Sequence, residues 1–196
     1  MVYEFREGSG FRADFQYAYS PACRTYPEFA QEENCVANRL DNTTGKYEYI
    51  SMITKKGYAP GAAFSARCSF ESYGAPLIVL ADGLSDGKDG IARYKSHFEI
   101  VAYEGGVNVW HIVPEGGGVK PENLARKKFP VKAGQILLLT VETGGNGIAV
   151  SLGDKRFKLS GISLPARFRA GITACEGINR FYEFTVLERY GKDQTK

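Results

Sequence analysis

The stretch that most restricts the fold is 93–113, in which two runs of alternating side chains flank Gly105-Gly106. Alternation has the two-residue period of a strand, and a Gly-Gly pair supplies the backbone freedom of a tight hairpin turn. A turn at the glycines sets Glu104 opposite Val107, Val101 opposite Trp110 and Glu99 opposite Ile112. Directly opposed residues share a face. One face then carries His97, Glu99, Val101, Tyr103, Asn108, Trp110 and Ile112. The other carries Phe98, Ile100, Ala102, Val107, Val109, His111 and Val113, which is nearly all apolar and belongs in a core. A hairpin of this kind buries one side and leaves a polar and aromatic surface on the other, a plausible place for a ligand.

The rest of the chain repeats this texture. Residues 11–19 alternate, with Phe11, Ala13, Phe15, Tyr17 and Tyr19 on one face. Strands are predicted over 47–54, 62–71 and 77–81, the last two separated by Gly74-Ala75-Pro76. On 62–71 an apolar row of Phe64, Ala66, Cys68 and Phe70 opposes Ser65, Arg67, Ser69 and Glu71. A strand over 136–142 leads to a second hairpin at Gly153-Asp154, which sets Leu152 opposite Lys155; glycine as first loop residue suits a type II′ turn. Alternation returns over 168–174, Cys175-Glu176-Gly177-Ile178-Asn179 reads as a turn, and 181–187 is the last strand. Segments 20–45 and 114–130 break the pattern and read as irregular, with room for a short helical turn over 30–40. Many half-polar strands with almost no helix predict an all-β, two-sheet antiparallel β-sandwich. The expected organisation is one domain over 1–196, with its core over about 11–187.

Composition narrows the function classes. At 196 residues and 43% hydrophobic the chain can bury a full core without staples. A net charge of +3 and a densest basic run of only Arg126-Lys127-Lys128 give no footprint for nucleic acid, so that run reads as a solvated loop. No apolar window approaches a membrane span. The opening Met-Val-Tyr-Glu-Phe-Arg-Glu has charges where a signal peptide needs an apolar region, so a cytoplasmic location is expected. Reduced thiols are then expected at Cys23, Cys35, Cys68 and Cys175, Cys23 and Cys35 being able to pair only after export. The cysteines and histidines lack metal-ligand spacing. Asp82, Asp86 and Asp89 lie in a glycine-rich loop without EF-hand spacing, so neither metal nor cofactor is expected.

The order of Gly-Ala-Pro-Leu-Ile-Val-Leu, His-Phe-Glu-Ile-Val-Ala-Tyr-Glu-Gly-Gly-Val-Asn-Val-Trp, Ser-Leu-Gly-Asp-Lys-Arg-Phe and Ala-Gly-Ile-Thr-Ala-Cys-Glu-Gly-Ile-Asn-Arg-Phe-Tyr-Glu-Phe-Thr-Val resembles the concanavalin A-like lectin/glucanase superfamily. The resemblance spans about 11–187 and implies a jelly roll whose concave sheet holds saccharide on aromatic platforms and polar side chains. The Glu-x-Asp-x-x-Glu run of the laminarinase-like members is absent, so no catalytic residues carry over. The expectation is a lectin-like protein binding oligosaccharide or polysaccharide, with Trp110 as platform, Glu99, Asn108 and Arg67 as polar contacts, and His97 and Tyr103 beside them. Two alternatives follow from the same residues. One is a hydrolase or lyase using Glu99 and His97 as acid and base, with Arg67 neutralising charge. The other is an accessory subunit that binds protein, or a second copy of itself, through exposed Tyr and Phe.

Overall fold

The computed structural model describes residues 1–38, 49–87 and 89–188. Alternation becomes strands in the order β1 (Val2–Glu4), β2 (Phe15–Tyr17), β3 (Ala30–Gln31), β4 (Val36–Ala37), β5 (Ile50–Thr54), β6 (Ala63–Ala81), β7 (Leu84–Asp86), β8 (Ala92–Tyr94), β9 (His97–Tyr103), β10 (Gly106–Glu115), β11 (Gly118–Lys128), β12 (Leu137–Gly144), β13 (Gly147–Leu152), β14 (Lys155–Ser160) and β15 (Arg169–Leu187). The one helical element among the described residues is a 3₁₀ turn over Phe11–Ala13, and no helix there is long and apolar enough to cross a membrane.

Two strands organise everything else. β6 and β15 are each 19 residues long and pair with each other from Ala63↔Leu187 to Ala81↔Arg169. The first half of β6 also pairs with β12, and its second half with β9. The two strands thus leave one layer and enter the other together. The first layer runs β11-β10-β9-β6-β15-β5-β2, and the second runs β14-β13-β12-β6-β15 with β1 and the β4–β3 pair beyond. Phe64, Phe70, Ile78, Ile100, Val109, Leu139, Val150, Ile172 and Phe184 fill the space between the layers. This is the two-sheet antiparallel sandwich expected from the alternation.

The places read as turns at Gly74 and at 175–179 are the bends of these two strands. Their side-by-side pairing, Gly177↔Gly74, lets both change layer at one point. The ladder slips on either side of Gly177, and Ser72 and Glu176 take φ of 49° and 54°. Gly177 has φ 61°, and a Cβ there would stand 2.0 Å from the Tyr73 carbonyl oxygen. Glycine therefore signals a bend here because it alone accepts both the left-handed conformation and the contact. Two buried asparagines lock the bend. Asn38 Nδ2 donates to Gly177 O at 2.7 Å, Asn179 N donates to Asn38 Oδ1 at 2.6 Å, and Asn179 Nδ2 donates to Glu176 O at 2.8 Å.

Other expectations shift in instructive ways. The hairpin turn is Glu104-Gly105, giving Tyr103↔Gly106, Glu99↔Trp110 and His97↔Ile112. Each partner moves by two positions, and a two-residue period leaves every side chain on its predicted face. Gly106 belongs to the strand, opposite Tyr103 and Lys128, and the position requires glycine because a Cβ would lie 2.0 Å from Lys127 O of β11. The Gly153-Asp154 hairpin has the predicted Leu152↔Lys155 register, with Gly153 at φ 57°. Residues 114–130, read as irregular, hold β11, the edge strand of the first layer. A bulge between Val109 and Trp110 turns both Leu124 and Ala125 toward the core, which hid the alternation. The helical turn foreseen over 30–40 is replaced, up to residue 38, by β3 and β4; residues 39–48 lie outside the described residues. Residues 11–19 are not one strand: the 3₁₀ turn buries Phe11 against Phe5, ring centroids 4.9 Å apart, and leaves Ala13 exposed.

Candidate functional site

The outer face of the first layer carries the hairpin's polar and aromatic residues, and it is not bare. A second apolar cluster covers its middle, with Leu77 and Val79 of β6, Val101 of β9, Ile53 of β5, Ala18 and Tyr94 packed together. Trp110, Tyr49 and Cys175 pack against the edge of this cluster, each half-buried. Glu99 stands in register between Val79 and Trp110, so a carboxylate lies beside the chain's only tryptophan.

Glu99 is held by one hydrogen bond and flanked by an imidazole. The buried Tyr49 hydroxyl donates to Oε1, and His97 Nε2 stands 3.3 Å from the same oxygen without aligning as a hydrogen bond. His97 is fully buried; its Nδ1 lies 3.0 Å from Lys95 O, and a carbonyl only accepts, so Nδ1 carries hydrogen. Its ring packs on Tyr94 at 4.9 Å. Tyr94 in turn meets Ser51, which lies 2.6 Å from Thr173 across β5 and β15. Buried beneath the face, this hydroxyl chain fixes Tyr94, against which the His97 ring packs.

Electrostatics assigns these groups their forms. Burial, and then the Glu99 charge, push the Tyr49 phenol well above its ordinary value, so it remains a donor. Burial pushes the Cys23 thiol up to about 11, with Glu99 adding to it and a backbone contact at Ser20 opposing it. Cys175 moves up for the same two reasons, burial first and Glu99 second. Both cysteines beside the site are therefore neutral thiols near pH 7, and neither supplies a nucleophile. All four cysteines are free of disulfides. The 20–29 segment is tied to β8, where Arg93 binds Asp89 at 2.6 Å and donates to the Tyr26 hydroxyl at 2.6 Å. Asp89 is thus engaged by a guanidinium, and no group of three or more His, Cys, Asp or Glu among the described residues is placed to hold a metal ion.

Of the predicted site residues, His97, Glu99, Tyr103, Asn108 and Trp110 share this one face. Arg67 does not join them. It is exposed in the first half of β6, paired with Leu138 and Glu183 in the other layer, because the strand bends before it reaches Val79. A different guanidinium stands there: Arg126 of β11 donates from Nε to Asn108 Oδ1 at 3.3 Å. Tyr49 and Arg126 are the two members that sequence reading missed. Recognition of β11 as a strand paired with β10 would have placed Arg126 beside Asn108. Nothing near Tyr49 in sequence announces its contact with Glu99, fifty positions away.

No protein-family model matches this chain, and no curated protein matches it. Solved structures do. The carbohydrate-binding module CBM66 from Bacillus subtilis is similar at 12% identity over 88% of this chain and 94% of its own, with a TM-score of 0.63. BuGH16Bwt is similar at 9% identity over 96% of this chain and 92% of its own, with a TM-score of 0.61. The exoplasmic/lumenal domain of VIP36, bound to Ca²⁺ and Man3GlcNAc, is similar at 12% identity over 92% of this chain and 85% of its own, with a TM-score of 0.57. Two layers joined by the bent pair β6–β15, with a polar face outside the first layer, are the concanavalin A-like jelly roll, and that is the fold of this chain.

Proposed function

We propose that this chain is a lectin-like carbohydrate-binding protein that takes oligosaccharide on the outer face of the first layer. The observation that carries this reading is the pairing of Trp110 with Glu99 on a half-exposed face that also presents Tyr103, Asn108 and Arg126. A sugar ring offers a C–H face to an aromatic platform and hydroxyls to fixed polar groups. Trp110 supplies the platform. Asn108, held by Arg126, offers an amide, and Glu99, held by Tyr49, offers a second carboxylate oxygen. His97 is fully buried and does not reach a ligand; its Nε2 lies 3.3 Å from Glu99 Oε1. The solved structures of similar fold include a carbohydrate-binding module and a domain carrying Man3GlcNAc, which supports this class of ligand.

Glycan-array screening followed by calorimetry tests the proposal. Trp110→Ala is expected to weaken binding at least tenfold, which corresponds to about 1.4 kcal/mol of lost stacking. Binding that is indifferent to this substitution, or absent across the array, refutes it.

A further inference from the structure

The outer face does not account for a hollow on the flank of the sandwich. Where the first and second layers part along one flank, a cavity of about 530 Å³ opens between β9–β10–β11 on one side and the end of β14 on the other. We infer that this flank cavity is a second ligand site, which takes a small hydroxyl-rich molecule without negative charge, the size of one or two sugar rings. The inference does not rest on the outer-face reading: it uses none of the same residues.

Its size falls within the range of small-molecule pockets. Its inner wall is apolar, with Leu124 and Leu159 packed on the main core and Phe98 stacked on the His111 ring at 4.5 Å and 13°. Its mouth is polar. Ser96 Oγ lies 2.8 Å from His111 Nε2, and Asp82 and Glu122 bring carboxyls to the same opening. Among the described residues no Lys or Arg lines the cavity to compensate an anion, while two carboxyls, an imidazole and several hydroxyls match a neutral polyol. Burial raises the Asp82 carboxyl above its ordinary value, against the pull of Ser96, His111 and His97. Contact runs from Asp82 to Ser96 to His111, with the serine in the middle. A serine nucleophile requires the histidine in the middle, so this order is not that of a Ser–His–Asp triad. A three-carboxyl or carboxyl–histidine cage for a metal is absent among the described residues.

The experiment is a backbone amide NMR titration of the whole chain with galactose, mannose, glucosamine and glucuronic acid, each to about 50 mM, well above a millimolar Kd. The expected result is that amides of 96–98, 111 and 159–163 shift with at least one neutral sugar or with glucosamine, and not with glucuronic acid. His111→Phe, which keeps the stacked ring, is expected to weaken that binding about tenfold, while Trp110→Ala leaves it unchanged. Glu122→Gln, at an exposed position, is expected to admit glucuronic acid. Absence of shifts at these amides, equal response to glucuronic acid, response to Ca²⁺ alone, or a site untouched by His111→Phe in a folded variant each overturns the inference. Loss of outer-face binding in Trp110→Ala with this response intact tells the failure of one site from that of the other.

Discussion

Glu99 shows how much of a side chain's role is set by what lies beneath it. Tyr49 and His97 converge on one carboxylate oxygen, and the field of that carboxylate reaches the nearby thiols. Cys23, with its pKa raised to about 11, makes a sensitive probe of that environment. Two units above the ordinary thiol value of 9.0 leave about a hundredfold less thiolate at pH 8. Alkylation of Cys23 by iodoacetamide at pH 8, followed by mass spectrometry, is therefore expected to be about a hundredfold slower than that of a free cysteine. Its rate should rise about tenfold per pH unit until about pH 11; labelling at the free-cysteine rate contradicts this environment.

At the scale of elements, the bend of β6 and β15 decides which residues meet. Asn38 is nearly inaccessible and bridges Gly177 O and Asn179 N across it. Asn38→Ala leaves a buried donor and a buried acceptor without these bonds, at a cost of about 3 kcal/mol. For a chain of this length the expected fall in Tm is about 6–12 °C, read by calorimetry; an unchanged Tm removes Asn38 from the lock. The same bend marks the limit of what could be read from sequence. Faces were legible, because period two survives even a register slip of two, as His97, Glu99 and Trp110 show. Strand continuity was not, because a glycine within a bent strand and a glycine within a turn carry the same local signal, as at Gly74 and Gly177. Arg67 was consequently grouped with Glu99, although the bend carries it into the other layer. β11 was hidden for a related reason, since a bulge on an exposed edge erases alternation.

For the molecule as a whole, buried protons bear on stability. Burial raises Cys68 to about 12 and Cys23 to about 11, and raises the phenols of Tyr3, Tyr19 and Tyr94 above their ordinary 10.0. In the unfolded chain these thiols ionise near 9.0 and the phenols near 10.0. Above about pH 9 the unfolded state thus holds fewer protons than the folded one, and stability falls as pH rises. It is fully present below pH 9 and is lost progressively through about pH 12. Tm measured from pH 8 to 11 should be level and then drop; a level trace throughout contradicts these burials.

Of the two strands that both layers share, β15 comes last among the described strands. β1, β4, β5 and β6 all find their partners on β15, with Val2 opposite Thr185 and Ala63 opposite Leu187. Residues 1–168 therefore leave the ribosome, with most of the aromatic residues, before the strand that closes either layer. Partners so distant in sequence also make closure slow. Chains halted at residue 168 should remain open to dilute protease, whereas chains carried through 188 should resist it; resistance at 168 shows that a closed body forms without β15. On this account both layers close together once β15 has been made.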